Sequence, residues 1–163
     1  INLPDAQGFK EINLENNNLS SVVVPLSGGL ISFNAAYNPL TSITIPENHS
    51  AFSTLSVNGT LITSLTIPEG LSSMNAIYTY DCSLLTSVTI PSSLKAHQWS
   101  MDLQNCAFPE TWVNDFMVFL DTVPRPLSSS YFNLSGGTSA APTGAGLTAK
   151  NHLNSSGISV TTN

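Results

Sequence analysis

The chain has 163 residues and is acidic, with four basic and ten acidic residues and a formal net charge of −6 at pH 7. This charge offers no cationic surface to nucleic acid or to an anionic membrane, and the lack of any run of about 18 apolar residues predicts no membrane insertion. The length suits one sizeable core.

Four similar segments, in which hydroxyl and apolar residues alternate before a proline, occupy residues 19–25, 40–46, 62–68 and 84–91. Their prolines, at positions 25, 46, 68 and 91, are 21, 22 and 23 residues apart, which is the spacing of a repeat protein. The alternation predicts a short strand with Thr facing outward. The proline removes a backbone donor where that strand must end.

A second strand pattern precedes each of these segments. Its apolar residues follow the spacing L-x-x-L-x-L, as Phe9, Ile12 and Leu14 do in the first copy, and a small or polar residue follows in the turn. We call this turn residue the ladder residue and expect it to be buried and to bond the turn backbone. The ladder residues are Asn17, Asn38, Thr60, Cys82 and Cys106, the last in a fifth, partial copy.

These repeats resemble the leucine-rich repeat family, and residues 81–91 resemble its BspA-type branch, which is found on microbial surfaces. The resemblance implies a mainly β fold, a leucine-rich repeat solenoid of about five repeats over residues 1–110, each of roughly 21–24 residues. A short strand is expected on each face. The resemblance is specific for fold and not for function, because a repeat scaffold carries whatever surface is grafted on it.

The N-terminal end of this solenoid is expected to need a partner. Residues 1–8 look too short to cover an open repeat core, and a terminal repeat normally has a polar outer face. The chain begins with Ile1 rather than Met and shows no signal-peptide pattern, so we expect a processed N-terminus or preceding sequence. We expect Ile1, Leu3 and Phe9 to contact an upstream anchoring domain or another subunit of a virion or surface layer.

The two cysteines, Cys82 and Cys106, are ladder residues of adjacent repeats. The sequence favours two free buried thiols, because buried cysteine behaves as a small hydrophobe. Stacked ladder positions would lie about 5 Å apart, so a disulfide stays geometrically open. Two cysteines do not decide the redox compartment.

After Cys106 the repeat pattern stops, and residues 111–163 are expected to form a small α+β capping region. Thr111 is a candidate N-cap for a helix at 111–123 that should cover the last repeat. A strand at 131–134, a helix at 146–156 ended by Gly157 and a final strand at 158–162 are expected to follow.

The tail carries a second resemblance. Residues 133–138, 140–142, 146–150 and 160–163 resemble, in the same order, the C-terminal segment of leucine-rich repeat proteins encoded by tailed bacteriophages and marine bacteria. In those proteins a Gly-Trp often precedes the last strand, whereas Gly157 and Ile158 stand here. The resemblance implies a virion surface protein.

Catalytic and metal chemistry find little support in the sequence. Residues 137–142 superficially resemble the nucleophile motif of subtilisin-like proteases, with Ser139 as nucleophile, but the His and Asp segments of that family are missing. His49, His97 and His152 stand singly, without metal-ligand spacing. We therefore expect no enzymatic activity, no metal site and no cofactor.

One side of the first strand in each repeat should present polar side chains in rows. Stacking of the repeats is expected to bring together Asn58, Tyr78, Tyr80, Asp102 and Gln104. Rings provide apolar area while amide and carboxylate groups fix orientation, a combination that suits a sugar or a peptide. The simpler interpretation, that the tyrosines only cover a sheet face, stays open because exposed aromatics are common.

These features favour a non-enzymatic structural and binding module. We expect it on a phage virion surface, as a fibre, appendage or decoration protein, or otherwise outside the cell. A carbohydrate or protein receptor is the expected partner, with no nucleic acid and no membrane insertion. The alternatives are a secreted or cell-surface bacterial adhesin on the same scaffold and, more remotely, a serine hydrolase using Ser139.

Overall fold

The computed structural model describes residues 3, 8–25, 29–47, 50–91, 99–123 and 130–163. In this part of the chain it contains eleven strands of three residues each and two helices. In chain order they are β1 (Glu11–Asn13), β2 (Ser21–Val23), β3 (Ser32–Asn34), β4 (Ser42–Thr44), β5 (Thr54–Ser56), β6 (Ser64–Thr66), β7 (Ala76–Tyr78), β8 (Ser87–Thr89), β9 (Ser100–Asp102), α1 (Glu110–Thr122), β10 (Tyr131–Asn133), α2 (Gly144–Ser155) and β11 (Ser159–Thr161).

The larger sheet has seven strands in the order β1-β3-β5-β7-β9-β10-β11, and all its neighbouring pairs are parallel. Each strand pairs residue for residue with the next, so that Ile12 lies opposite Phe33 at one end and Phe132 opposite Val160 at the other. We call the solvent side of this sheet the front face. Because the register is constant, its side chains form rows across the strands.

The opposite surface, which we call the back face, carries two parallel pairs, β2 with β4 and β6 with β8. In β6 the middle residue, Leu65, is buried while Ser64 and Thr66 are exposed, as the alternation predicts. The mainly β solenoid with a short strand on each face is thereby confirmed. The core runs between the two faces as a column, in which Phe33, Leu55, Ile77, Met101 and Phe132 are at most 1% exposed.

The ladder residues bond backbone carbonyls of their own and the preceding coil. Asn38 Nδ2 donates to Leu14 O at 2.9 Å and to Ala35 O at 3.1 Å. Cys82 Sγ reaches Val57 O at 3.2 Å, and Cys106 Sγ reaches Thr79 O at 3.3 Å. Both cysteines are buried free thiols. The ladder side chains therefore join successive coils as well as closing their own turns.

Two further ladder residues complete this picture. Thr60 Oγ1 donates to Val57 O at 2.8 Å within its own coil. Asn17 Nδ2 donates to Leu14 O at 2.8 Å, but Asn17 is exposed. Its expected burial is wrong, because no described coil precedes the first repeat.

A left-handed residue stands immediately before each ladder position. This backbone conformation suits Gly, Asn and Asp, which carry most of the positions, and it is uncommon for a bulky side chain such as Tyr37. The residues and their φ angles are Asn16 (56°), Tyr37 (52°), Gly59 (65°), Asp81 (61°), Asn105 (55°) and Gly136 (79°). The sixth member shows that the turn recurs after β10, beyond the last repeat recognised in the sequence.

The C-terminal region continues the solenoid rather than forming a separate layer. Strands β10 and β11 extend the seven-stranded sheet in unchanged register, so residues 1–110 and 111–163 share one sheet. On the back face, α1 and α2 take the place of strands and pack against each other.

Both helices begin earlier than expected. The predicted N-cap at Thr111 is wrong, because α1 starts at Glu110 with Pro109 as the extended N-cap residue at φ −69° and ψ 157°. Helix α2 starts at Gly144 rather than 146, after Thr143 in extended conformation. Neither N-cap makes a side-chain capping bond.

Helix α1 covers the end of the strand-built back face with its buried residues Val113, Phe116, Met117 and Leu120. The Trp112 ring stacks on Phe108 and Phe116, with centroid distances of 4.1 and 4.8 Å. Its Nε1 donates to Val88 O in β8 at 3.3 Å. The hydrogen bond ties the helix to the last back-face strand, and the ring stacking ties it to Phe108 in the segment before it.

The two edges of the front sheet differ. Beyond β11, Asn154 Oδ1 accepts the Val160 N–H at 2.8 Å and its Nδ2 donates to the Val160 carbonyl at 3.3 Å. One side-chain amide thus takes the place of a neighbouring strand. At the β1 edge, Phe9 is 57% exposed, although its equivalents Leu30 and Phe52 are 0% exposed.

The N-terminal residues expected to contact a partner are only partly described. Leu3 is half-buried and packs against the core, whereas Ile1 lies outside the described residues. In the described part of the chain, no helix is long and apolar enough to cross a membrane.

Candidate functional site

The constant register of the front sheet fixes which exposed side chains are neighbours. The first residues of the strands form the first row on this face, and the third residues form the middle row. In the middle row, Ser56 lies opposite Tyr78, and Tyr78 lies opposite Asp102. Asp102 in turn lies opposite Asn133 of β10. The expected adjacency of an aromatic ring and a carboxylate on this face is therefore present.

Most middle-row residues are occupied by a local hydrogen bond. The side-chain oxygen accepts the backbone N–H two residues later, at 3.0 Å from Asn34 to Ala36 and at 3.1 Å from Asn133 to Ser135. Asn13 and Asp102 make the same bond. Ser56 instead donates its hydroxyl to Asn58 Oδ1 at 2.6 Å. Tyr78 makes no such local bond because a phenol cannot fold back to reach the backbone two residues later. Its half-buried side chain lies between Ser56 and Asp102 in the register of the sheet.

A shallow depression of about 260 Å³ lies beside Tyr78, where the turns after β7 and β9 meet the front face. We call it the Tyr80 depression. It is lined by Tyr80, Asp81, Asp102, Gln104 and Asn105. One aromatic ring, two carboxylates and two amides thus surround an open depression that is smaller than a typical enclosed ligand pocket.

The polar groups of the Tyr80 depression are held in place by one another. Gln104 Nε2 donates to both oxygens of Asp102, at 2.9 and 3.1 Å. Asn105 Nδ2 donates to Asp81 Oδ1 at 2.7 Å. Because each carboxylate oxygen can accept more than one bond, both acids retain capacity for a ligand hydroxyl or amine.

Tyr37 joins this cluster from two coils away. Its ring lies against Gly59, where a Cβ would come within 2.5 Å of a ring carbon. Its hydroxyl forms a hydrogen bond with Tyr80. That bond, with burial and the charges of Tyr37, Asp102 and Asp81, raises the pKa of Tyr80 to about 12. The Tyr80 phenol therefore stays protonated at neutral pH.

The structure brings together part of the residue set proposed from the sequence. Tyr80, Asp102 and Gln104 line one depression, and Tyr78 adjoins Asp102 in register outside it. Asn58 must leave the set. It is 2% exposed and its Oδ1 accepts the Ser56 hydroxyl at 2.6 Å, so its amide is turned away from solvent.

Three contributors were missed in the sequence: Tyr37, Asp81 and Asn105. All three occupy the left-handed position immediately before a ladder residue. For Asp81 and Asn105 the available signal was the recurrence of Asn, Asp and Gly at that position, which marks a turn. Tyr37 departs from that recurrence and had no such signal.

The other chemistries considered from the sequence have these positions. Ser139 is 5% exposed, and its Oγ accepts the Phe108 N–H at 3.3 Å. His152 Nδ1 lies 2.7 Å from Asp121 Oδ1 and so links α2 to α1, whereas His49 and His97 lie outside the described residues. Within the described ranges, no three His, Cys, Asp or Glu residues are grouped as metal ligands would be.

Comparison with known proteins adds one match. A family model described as BspA type leucine-rich repeat region matches residues 8–116 in six copies, well over half of the chain. The match stops within α1, so the resemblance of the tail to phage proteins stays a prediction. No curated protein and no solved structure matches the chain.

Proposed function

The chain belongs to the BspA-type leucine-rich repeat family, and from this premise we propose that it is a non-enzymatic binding module whose front face contacts a receptor around Tyr78 and Tyr80. The family match supports a binding or adhesin-like repeat module. A repeat scaffold binds through the side chains that its strands and turns display. We therefore place the receptor site where an aromatic side chain replaces the short polar side chains of the front-face rows.

Tyr78 of β7 differs from the middle-row residues of the strands beside it, and this difference is the main support for the proposal. On the two neighbouring strands, the Ser56 hydroxyl donates to Asn58 Oδ1 and Asp102 Oδ1 accepts the Gln104 N–H, whereas Tyr78 places a ring beside Asp102. The Tyr80 depression adjoins that ring and holds oriented carboxylates and amides. Aromatic area next to fixed polar groups is the usual composition of a recognition site.

We further propose that the module works on a phage virion surface, as a fibre, appendage or decoration protein. The support is the sequence resemblance of the C-terminal segment to leucine-rich repeat proteins of tailed phages. The second candidate is a secreted or cell-surface bacterial adhesin. The family match favours it equally, because it covers the scaffold that both share.

The β1 edge is proposed as the attachment end. Phe9 occupies a core position of the repeat and is 57% exposed, so it offers apolar surface to another subunit or to an upstream domain. The β11 edge, whose backbone groups are bonded by Asn154, would then point away from the assembly. That polarity leaves the tyrosine-bearing face accessible.

The non-enzymatic part of the proposal rests on the placement of Ser139. A serine nucleophile must be reachable and must have a base to take its proton. The Ser139 hydroxyl is buried and bonded to the Phe108 backbone. A serine-reactive probe that labels Ser139 in the folded protein would contradict this part.

The receptor site is tested with the double variant Tyr78→Ala, Tyr80→Ala. We expect its binding to host cells to fall by at least about tenfold, because aromatic anchors carry much of the energy of such contacts. Leu147→Ala, which alters a 43% exposed residue on α2, is the control and should bind normally. Equal binding by the wild type and the double variant, with all proteins folded, would contradict the proposal.

A further inference from the structure

The front-face residues beyond Asp102, on β9 and β10, indicate how far the binding surface extends and which class of ligand it takes. We propose that the binding surface continues across β9 to Tyr131 and takes an uncharged oligosaccharide that spans β7, β9 and β10. This inference rests on the proposed receptor role of Tyr78 and Tyr80.

Tyr131 supplies a second aromatic platform. It stands in the first row of β10, opposite Ser100, and is 37% exposed. Its hydroxyl accepts a hydrogen bond from Asn133 Nδ2 at 2.8 Å. Because the bond reaches two residues along the same strand, the ring lies along the front face and does not project from it. A ring held flat in this way suits stacking against the apolar face of a pyranose.

The surface between Tyr78 and Tyr131 carries short side chains, most of them polar. Strand β9 separates β7 from β10, and its outward residues are Ser100 and Asp102. The neighbour of Ser100 on β7 is Ala76, which is 7% exposed. Small side chains therefore lie between Tyr78 and Tyr131. Two strand spacings, about 10 Å, separate β7 from β10, which is room for more than one sugar ring.

The polar groups match hydroxyls better than a peptide backbone. A hydroxyl both donates and accepts, so it can pair with the Asp102 carboxylate and with an amide such as Gln104. A peptide bound by strand addition needs a free sheet edge. Strand β9, the centre of this surface, is paired on both sides by β7 and β10.

The charges on this surface disfavour an anionic glycan. Asp81 and Asp102 both line the Tyr80 depression, so a ligand in it lies beside two carboxylates. Among the described residues, the ammonium groups lie elsewhere: Lys10 beside Gly29, and Lys150 bonded to Thr162 Oγ1 at 2.7 Å. Among the described residues, a sialylated or uronic-acid glycan would meet the carboxylates of Asp81 and Asp102 with neither Lys10 nor Lys150 beside them.

The test begins with an array of neutral and anionic glycans, followed by titration of a neutral linear hit as a length series from the disaccharide to the hexasaccharide. We expect only neutral glycans to be retained and affinity to rise with length. Tyr131→Ala should weaken the hexasaccharide by about tenfold and the disaccharide by at most about twofold, because only the longer ligand reaches β10. Tyr131→Phe, which keeps the ring, should lose less than Tyr131→Ala.

Leu147→Ala serves as the control for an exposed apolar residue outside the surface. Retention of anionic glycans as strongly as neutral ones, or an equal loss at every length in Tyr131→Ala, would overturn the inference. If host-cell binding depends on Tyr78 and Tyr80 but no glycan is retained, the inference fails while the proposed receptor face stands. If host-cell binding depends on neither tyrosine, the proposed function fails as well.

Discussion

At the scale of single residues, the ladder column shows how the same turn is closed by different chemistry. Asn38 bonds three carbonyls through one amide. Cys106, further along the column, has weaker sulfur contacts to Thr79 O and Gln104 O. After β10 the equivalent residue is Gly137, where a Cβ would collide with the Cys106 carbonyl. The ladder position after β10 therefore has no room for a side chain, and the sulfur contacts of Cys106 are longer than the amide bonds of Asn38.

The ladder thiols give the residue-scale prediction. Burial raises the pKa of Cys106 to about 12 and raises that of Cys82. Since the thiolate is the reactive form, alkylation of the native protein at pH 8 should be slow, and fast only after unfolding. Cys106→Ser should keep the fold with a loss of about 1 kcal/mol, whereas Cys106→Leu should cost about 1–3 kcal/mol by overpacking.

Denaturant titration of both variants and timed alkylation of the wild type measure these effects. Rapid labelling of both thiols in the native protein would show that they are not buried ladder residues. A Cys106→Leu variant as stable as the wild type would show that the column has free space.

The period of the apolar residues predicted which side chains align in the core. It did not predict all the residues that meet in the candidate site. Ile12, Phe33 and Leu55 follow the repeat and align in the core as expected. The contact of Tyr37 with Tyr80 depends on a left-handed backbone and on Gly59 leaving room for a ring. Neither condition has a period in hydrophobicity, so sequence pattern could not place Tyr37 in the cluster.

At the scale of elements, the repeat pattern did not predict how the C-terminal region joins the solenoid. Strands β10 and β11 keep the alternation, with Phe132 and Val160 buried, but they lack a recognisable ladder residue. The sequence therefore predicted two strands without revealing that they extend the front sheet. The helix starts were misplaced because residues such as Thr111 favour N-caps, while Pro109 fixes the extended backbone just before α1.

Helix α1 gives the element-scale prediction. Phe116 is 5% exposed, stacks on Trp112 at 4.8 Å and meets the Phe132 ring edge-on at 6.1 Å. Phe116→Ala should therefore cost about 3–5 kcal/mol of unfolding free energy. Val118→Ala, on the exposed side of the same helix, should change stability by less than about 0.5 kcal/mol.

Chemical denaturation of the two variants provides the comparison. Truncation after residue 110 adds a second test, since it removes α1, β10 and β11 and exposes the apolar end of the column. A truncated chain that is as soluble and as stable as the full chain would contradict the capping role of this region.

At the scale of the whole molecule, the two edges of the front sheet differ in how their backbone groups are bonded. Its front sheet ends at β11, where the Asn154 amide bonds both backbone groups of Val160 and so blocks the addition of another strand. At β1, the pairing with β3 uses one side of the strand, and no strand of the described residues pairs with the other side, where the Phe9 ring is exposed. The repeat pattern places Phe9 in a core, and in the isolated chain that core position is open. An asymmetric column of this kind can be held at one end and bind at its side.

The whole-molecule prediction is that the β1 edge is covered in the working assembly. In hydrogen-exchange measurements, the amides of Glu11 and Asn13 should exchange more slowly in the assembled particle or surface layer than in the isolated chain, because a partner would bond or bury them. Phe9→Asp should reduce incorporation by about tenfold, since it places a charge in an apolar contact. Leu147→Asp makes the same change at an exposed residue of α2 and should leave incorporation unchanged. Equal incorporation of Phe9→Asp and wild type, or a block by Leu147→Asp alone, would assign the attachment to the C-terminal end and reverse the direction inferred for the column.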